Sequence, residues 1–180
     1  MNEPDFALRI DRLEAESAIR ALAARYCFAI DNHDLDAVGD LFTEDARVFS
    51  KDGVMDARGR DAVISQYEQR FEVLGPSNHV SHDHCIRFVG DPDRAEGLLS
   101  AHAELWRNET MMVTALRYDD VYRRDAGVWR FQQRALSFLY YAPLADYAGI
   151  LGARDRMRAY AEPAEADYPE KLPSWKDYRG

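Results

Sequence analysis

Cysteine is scarce in this chain. Cys27 and Cys85 are the only two, they have no paired spacing, and each sits in an apolar run. A disulfide framework is therefore excluded, and both are expected to be reduced, buried thiols of a cytoplasmic protein. Long hydrophobic runs are also missing: none approaches the ~20 residues of a membrane span. The opening stretch MNEPDFALRIDRLEAE is acidic and amphipathic, unlike a signal or transit peptide. Positive charge is in deficit, with 23 Lys and Arg against 32 Asp and Glu, a net charge of −9. The basic residues alternate with acids and form no stripe. Phosphate backbones and anionic membranes would be repelled, so neither nucleic acid nor a membrane is an expected partner.

What is present suits a folded domain. Apolar residues make up 47% and charged residues 31% of 180 residues, enough for one domain with a sizeable core and too few for two. From Asp5 to Ile30, apolar residues recur at helical spacing (Ile10, Leu13, Ile19, Leu22, Tyr26, Ala29 and Ile30), with Pro4 suited to a first turn. A short second helix follows in NHDLDAVGDLF, with residues 32–34 as the joint. ARVFS and GVMDA read as a small hairpin around Asp52-Gly53. GRDAVISQYEQRFEVLG reads as a helix closed by Gly75-Pro76.

The period then changes. Residues 79–89, 97–107, 111–124 and 128–141 read as long strands separated by the turn sequences GDPDR, RNET and RDAG. Helices first and an antiparallel or mixed sheet afterwards imply an α+β domain over residues 1–145, with the helices packed on one sheet face. There is no internal repeat. Residues 146–180 form a tail, and LADYAGILGARDRMRAY, which leads into it from Leu144, could be one more helix. The Pro-rich remainder carries Leu172, Trp175 and Tyr178, aromatic surface suited to docking on a neighbour or over a pocket.

Three of the five histidines crowd into SNHVSHDHC, at positions 79, 82 and 84. On an uninterrupted strand His82 and His84 share a face and His79 takes the other. An H-x-H pair can ligate zinc, iron or copper. Further ligands at a metal-site spacing do not follow, so no metal is expected. A carboxylate that accepts a hydrogen bond from one imidazole nitrogen raises the basicity of the other, making a general base. Asp31, at the end of the first helix, is a candidate partner for His79. Tyr26 is five residues from Asp31, so on an ideal helix the two point about 140° apart. His102 and Arg134 lie on later strands. His102 alternates with Ser100 and Glu104 on a polar face, and Arg134 is expected to share its face with Arg130 and Gln132.

The stretch AIRALAARYCFAIDNHDLDAVGDLFTEDARV, with Tyr-x4-Asp, a polar joint and LF-x-x-D-A, resembles the opening of the SnoaL-like group of the nuclear-transport-factor-2-like fold. YDDVYRRDAGVWRFQQRALSFLYYAPL is similar to that group's last hairpin, and the resemblance covers about residues 9–145. It implies a cone-shaped curved sheet with the N-terminal helices on its concave face. Within the group the pattern is most similar to the branch of scytalone dehydratase, bile-acid 7α-dehydratase and hexachlorocyclohexane dehydrochlorinase. In that branch Asp31 and His79 match a paired Asp and His. Tyr26 matches a catalytic Tyr or Lys, Arg134 a pocket Arg, and His102 a second His. The chain departs from it at Asp83, where the dehydrochlorinase has Asn, and at Phe138, where the bile-acid enzyme has Arg.

The resemblance implies a cofactor-independent lyase, a dehydratase or dehydrohalogenase. His79 would abstract a proton, Asp31 steady the imidazolium, and Tyr26, His102 or Arg134 assist the leaving group. Phe28, Phe49, Met55, Met112 and Tyr118 would wall a pocket for a small hydrophobic, cyclic substrate. Two other readings share the fold. One is a non-catalytic β subunit of a ring-hydroxylating dioxygenase. The other is a ketosteroid-isomerase-like or polyketide-cyclase-like proton shuttle using Tyr26 and an acid. A homo-oligomer is implied, a trimer before a dimer.

Overall fold

The structure is a computed structural model describing residues 3–179; residues 1, 2 and 180, parts of the two terminal stretches read above, lie outside the described residues. Helix α1 spans Glu3–Asp31. Ala15, Ile19, Leu22, Ala23, Tyr26, Cys27 and Ile30 form its buried stripe, at the three- and four-residue spacing of one helix face. Ile10 and Leu13, expected on the same stripe, are exposed, because the stripe meets the sheet only from Ala15 onward. Helix α2 (Leu35–Asp40) is capped by Asp34, whose side chain accepts from the Ala37 N–H at 2.9 Å.

Strands β1 (Phe42–Ser50) and β2 (Asp56–Arg58) form the expected hairpin. Helix α3 covers Arg60–Phe71 and stops short of Gly75-Pro76, which instead open strand β3 (Leu74–Phe88). Proline is tolerated there because β3 is an edge strand and needs no donor on its free side. Gly75 lies against Trp106, where a Cβ would come within 2.8 Å of the indole. Strands β4 (Arg94–Arg107), β5 (Thr110–Asp125) and β6 (Val128–Pro143) complete a six-stranded sheet of order β2-β1-β6-β5-β4-β3. β1 runs parallel to β6 and the remaining pairs are antiparallel. The helices cover its inner, concave face.

Bulges decide which side chains reach that face. One falls between Ser81 and His84 on β3. On β6, Tyr122 pairs with Phe131 but Val121 with Gln133, so the strand gains a residue there. A second extra residue, Leu139, follows between Phe138 and Tyr140. Each added residue reverses the alternation beyond it. His84 therefore joins His79 on the inner face while His82 stays outside, contrary to the expected pairing of His82 with His84. Arg134 likewise turns inward with Phe131, away from Arg130 and Gln132. Along one inner row the register runs His79, Ala103, Thr114, Tyr141.

The tail is not one α-helix. Leu144–Gly152 is a 3-10 helix, an irregular stretch follows, and helix α4 takes Pro173–Arg179. The stretch between them packs on β6. Arg158 N–H donates to the Tyr141 carbonyl at 2.7 Å, and the Asp167 carboxylate accepts from Phe138 N–H at 2.8 Å. Buried Arg156 ties it down, donating to the Leu139, Ala153 and Tyr168 carbonyls and to the Glu170 carboxylate. Leu172, Trp175 and Tyr178 are at least a third exposed.

Candidate functional site

Helix α1 ends where β3 begins, and this brings Asp31 to His79. His79 Nδ1 lies 2.6 Å from Asp31 Oδ1, its backbone N–H donates to Oδ2 at 2.8 Å, and Ser77 Oγ donates to Oδ1 at 2.7 Å. Burial pushes the Asp31 carboxyl up, but the hydrogen bonds from His79 and Ser77 outweigh it and hold the group below the usual carboxylate range. An ionised carboxylate can only accept, so Nδ1 carries a proton, and in the neutral ring Nε2 holds the lone pair. No other described residue hydrogen-bonds the ring, whose side chain is 11% exposed. Ser77 was legible in the sequence, since two residues before His79 on a strand is the same face.

Tyr26 points elsewhere, as helical geometry requires. Its hydroxyl pairs with that of Tyr67 at 2.8 Å, and its ring meets Tyr67, Tyr118 and Phe131 edge-on. Arg134 is fully buried and forms a two-point ion pair with Asp120, Nε to Oδ1 at 3.0 Å and Nη2 to Oδ2 at 2.7 Å. The guanidinium carbon sits 4.0–4.1 Å from the ring centres of Tyr26, Tyr118 and Phe131, and Nη1 has no partner. Burial alone would push this group down, but Asp120 keeps it charged. Asp120 also accepts from Tyr122 Oη at 2.8 Å, and Tyr122 lies 3.0 Å from His84 Nε2. Cys27 is buried within electrostatic reach of both Arg134 and Asp31; burial pushes its thiol up.

The structure separates several expected site residues from this region. Phe28 is 68% exposed, on the solvent side of α1. Phe49 lies on the outer face of β1 under the Arg47 guanidinium, 4.1 Å away, because Val48 takes the inner position. His102 is exposed on the outer face, 2.8 Å from His82, where both line a hollow of about 390 Å³ with Val80 and Tyr147. It has no route to the Asp31–His79 pair through the sheet. Met55, Met112 and Tyr118 do belong to the inner core. Cys85, expected buried, is exposed, since the β3 bulge turns it outward. A larger hollow, about 530 Å³, opens on that outer face beside Cys85, Leu98 and Gln133; neither Asp31 nor His79 lines it.

Comparison with known proteins agrees with this architecture. A family model described as a SnoaL-like domain matches residues 11–135. Among curated proteins, none matches the sequence. Among solved structures, the hexachlorocyclohexane dehydrochlorinase LinA superposes with a TM-score of 0.71 at 22% identity, over 77% of this chain and 95% of that one. A proposed scytalone dehydratase from Novosphingobium aromaticivorans gives 0.70 at 22%, over 75% and 91%. A proposed aromatic ring hydroxylase from the same organism gives 0.68 at 23%, over 76% and 97%. At these identities the structural likeness speaks to the fold.

Proposed function

The chain belongs to the SnoaL-like domain family, and on that premise we propose that it is a cofactor-independent lyase acting by β-elimination on a small hydrophobic, cyclic substrate. The observation that carries this reading is the doubly held carboxylate of Asp31, which fixes the His79 tautomer and leaves Nε2 as a base. His79 Nε2 takes a proton from carbon, the C–H electron pair becomes the new double bond, and hydroxide or halide leaves with its bonding pair. Asp31 stabilises the imidazolium, and Ser77 keeps the carboxylate aimed. The unpartnered Nη1 of Arg134 is the donor assigned to the departing anion or a developing enolate, and the Tyr26 ring packs against that guanidinium. The protein acts in this proposal as a homo-oligomer, a trimer or a dimer, which sedimentation would distinguish.

The test is turnover against a panel of steroids, aromatic polyketides and chlorinated cyclic compounds, read by mass spectrometry. Wild type should yield product lighter by water or hydrogen halide, and His79→Ala should not. Equal turnover by the two proteins would sink the mechanism.

A further inference from the structure

Most buried or half-buried arginines in this chain meet a carboxylate: Arg123 with Asp45 and Asp125, Arg124 with Asp11 and Asp93, Arg134 with Asp120. Arg70, half-buried on the inner side of α3, meets none among the described residues. Its one hydrogen bond runs from Nη1 to the Met55 thioether at 2.9 Å, a weak acceptor for a guanidinium. Its electrostatic neighbours are instead the tyrosines at 141, 67, 26 and 160. Arg60, held by the Phe42 carbonyl, and Arg117, over the Tyr168 ring, share this lack of a carboxylate among the described residues, as does Arg107, at the end of β4. Its guanidinium lies 5.7 Å from the Tyr141 ring and 5.4 Å from the Tyr160 ring, and its buried Nε has no partner. The Tyr141 hydroxyl is likewise buried and unpartnered, on a residue only 2% exposed.

Two guanidiniums and a hydroxyl thus gather with no carboxylate hydrogen-bonded to them among the described residues, in a chain that carries nine more negative than positive charges. Asp52 acts on Tyr160 from nearby, but its carboxylate accepts from Ser50 and the Val54 N–H. Withholding a counter-ion from partly desolvated cations costs stability unless a ligand supplies one. The tail takes part, because it brings Tyr160 over Arg107. The cluster also faces the Asp31–His79 pair across the concave sheet. Tyr141 lies on the same inner row as His79, with only Ala103 and Thr114 between them. Three strand spacings make that roughly 14 Å along the sheet, the span of a fused-ring molecule.

We propose that Arg70, with Arg107 and the Tyr141 hydroxyl, binds a carboxylate on the substrate and so selects a cyclic organic acid over its neutral analogues. A carboxylate suits a planar guanidinium fork, and Arg70 and Arg107 are substrate-binding residues in this assignment. It rests on the lyase reading only for which end of the molecule reacts; the binding itself does not require turnover.

Calorimetric titration of the full chain with 2-naphthoate and with neutral 2-naphthamide tests it. Wild type should bind the naphthoate at least about tenfold more tightly, the loss expected for a charge-assisted contact. Arg70→Gln and Tyr141→Phe should weaken naphthoate more than naphthamide, Arg70→Lys should recover part of the affinity, and the outer-face variant His102→Ala should bind both as wild type does. Equal affinity for the two probes, binding of neither, or naphthoate affinity untouched in Arg70→Gln would overturn the proposal. Should Arg70→Gln fail to fold by circular dichroism, Tyr141→Phe decides by the same criterion. A failed lyase reading looks different: the probe discrimination persists while His79→Ala turns over like wild type.

Discussion

The carboxylate of Asp31 accepts from both ends of His79, the ring Nδ1 at 2.6 Å and the backbone N–H at 2.8 Å. The backbone contact sets where the strand begins relative to α1, and the ring contact sets which nitrogen carries the proton. One residue thereby aligns the edge strand and defines the candidate base.

Removing the charge while keeping the shape separates these roles. Asp31→Asn should retain the fold and lower kcat by about 10²–10⁴, the range for losing an oriented general base. Ser77→Ala should cost less, about tenfold, because it removes one of three donors to the carboxylate. Steady-state kinetics beside circular dichroism would check both; an Asp31→Asn enzyme with wild-type kcat would refute the orienting role.

The buried pair of Arg134 and Asp120 should matter for stability however the chemistry is assigned. Asp120→Ala leaves a cation fully buried among three rings and leaves Tyr122 Oη without its acceptor. A loss of about 3–5 kcal/mol is expected, measured by urea denaturation. A change under 1 kcal/mol would mean that water or a rearranged partner replaces the carboxylate.

His84 provides a pH signature. Burial pushes it down to about 4, with Arg20 and Arg134 adding to the shift and Asp120 opposing it. An unfolded histidine titrates near about 6.5, so between these values the unfolded chain binds the extra proton. Stability from this group is complete above about 6.5 and is lost as pH falls to about 4. His102, also lowered by burial and by His82, contributes with the same sign. His84→Gln should therefore flatten part of the slope in urea midpoints across that window. An unchanged slope would exclude His84 as its source.

Gly97 is required by contact, not by backbone angle. A Cβ there would sit 2.8 Å from the Tyr122 ring and 3.1 Å from His84 Nε2. Tyr122 is fully buried and held by Asp120, so it has little room to retreat. Gly97→Ala should cost about 1–3 kcal/mol, visible as a Tm lowered by roughly 2–12 °C. A wild-type Tm would show that the ring shifts freely.

The order of elements was legible in the sequence because helical and strand periods are local, and so were the joint at residues 32–34 and the hairpin turns. Ala126 and Gly127, for example, take φ of 50° and 80° between Asp125 and Val128, a tight two-residue turn. The Asp31–His79 pairing was legible only through the resemblance, since spacing alone matches many Asp and His residues. Where alternation was carried across a whole strand it failed for His84 and Arg134, and the apolar run around Cys85 did not bury it. One inserted residue reverses every side chain beyond it, and nothing in the composition of SHDH or FQQR marks the insertion. Phe28, Phe49 and His102 were misplaced because apolarity or family position does not say which face a neighbour will cover. The cluster of Arg70, Arg107 and Tyr141 was not legible because an arginine without a counter-ion is recognised only once every carboxylate has been placed. The sequence by itself determined the elements, their order and the residues able to do chemistry. The tertiary structure decided which of them share an enclosed face, because bulges and long-range ion pairing depend on partners the chain meets only on folding.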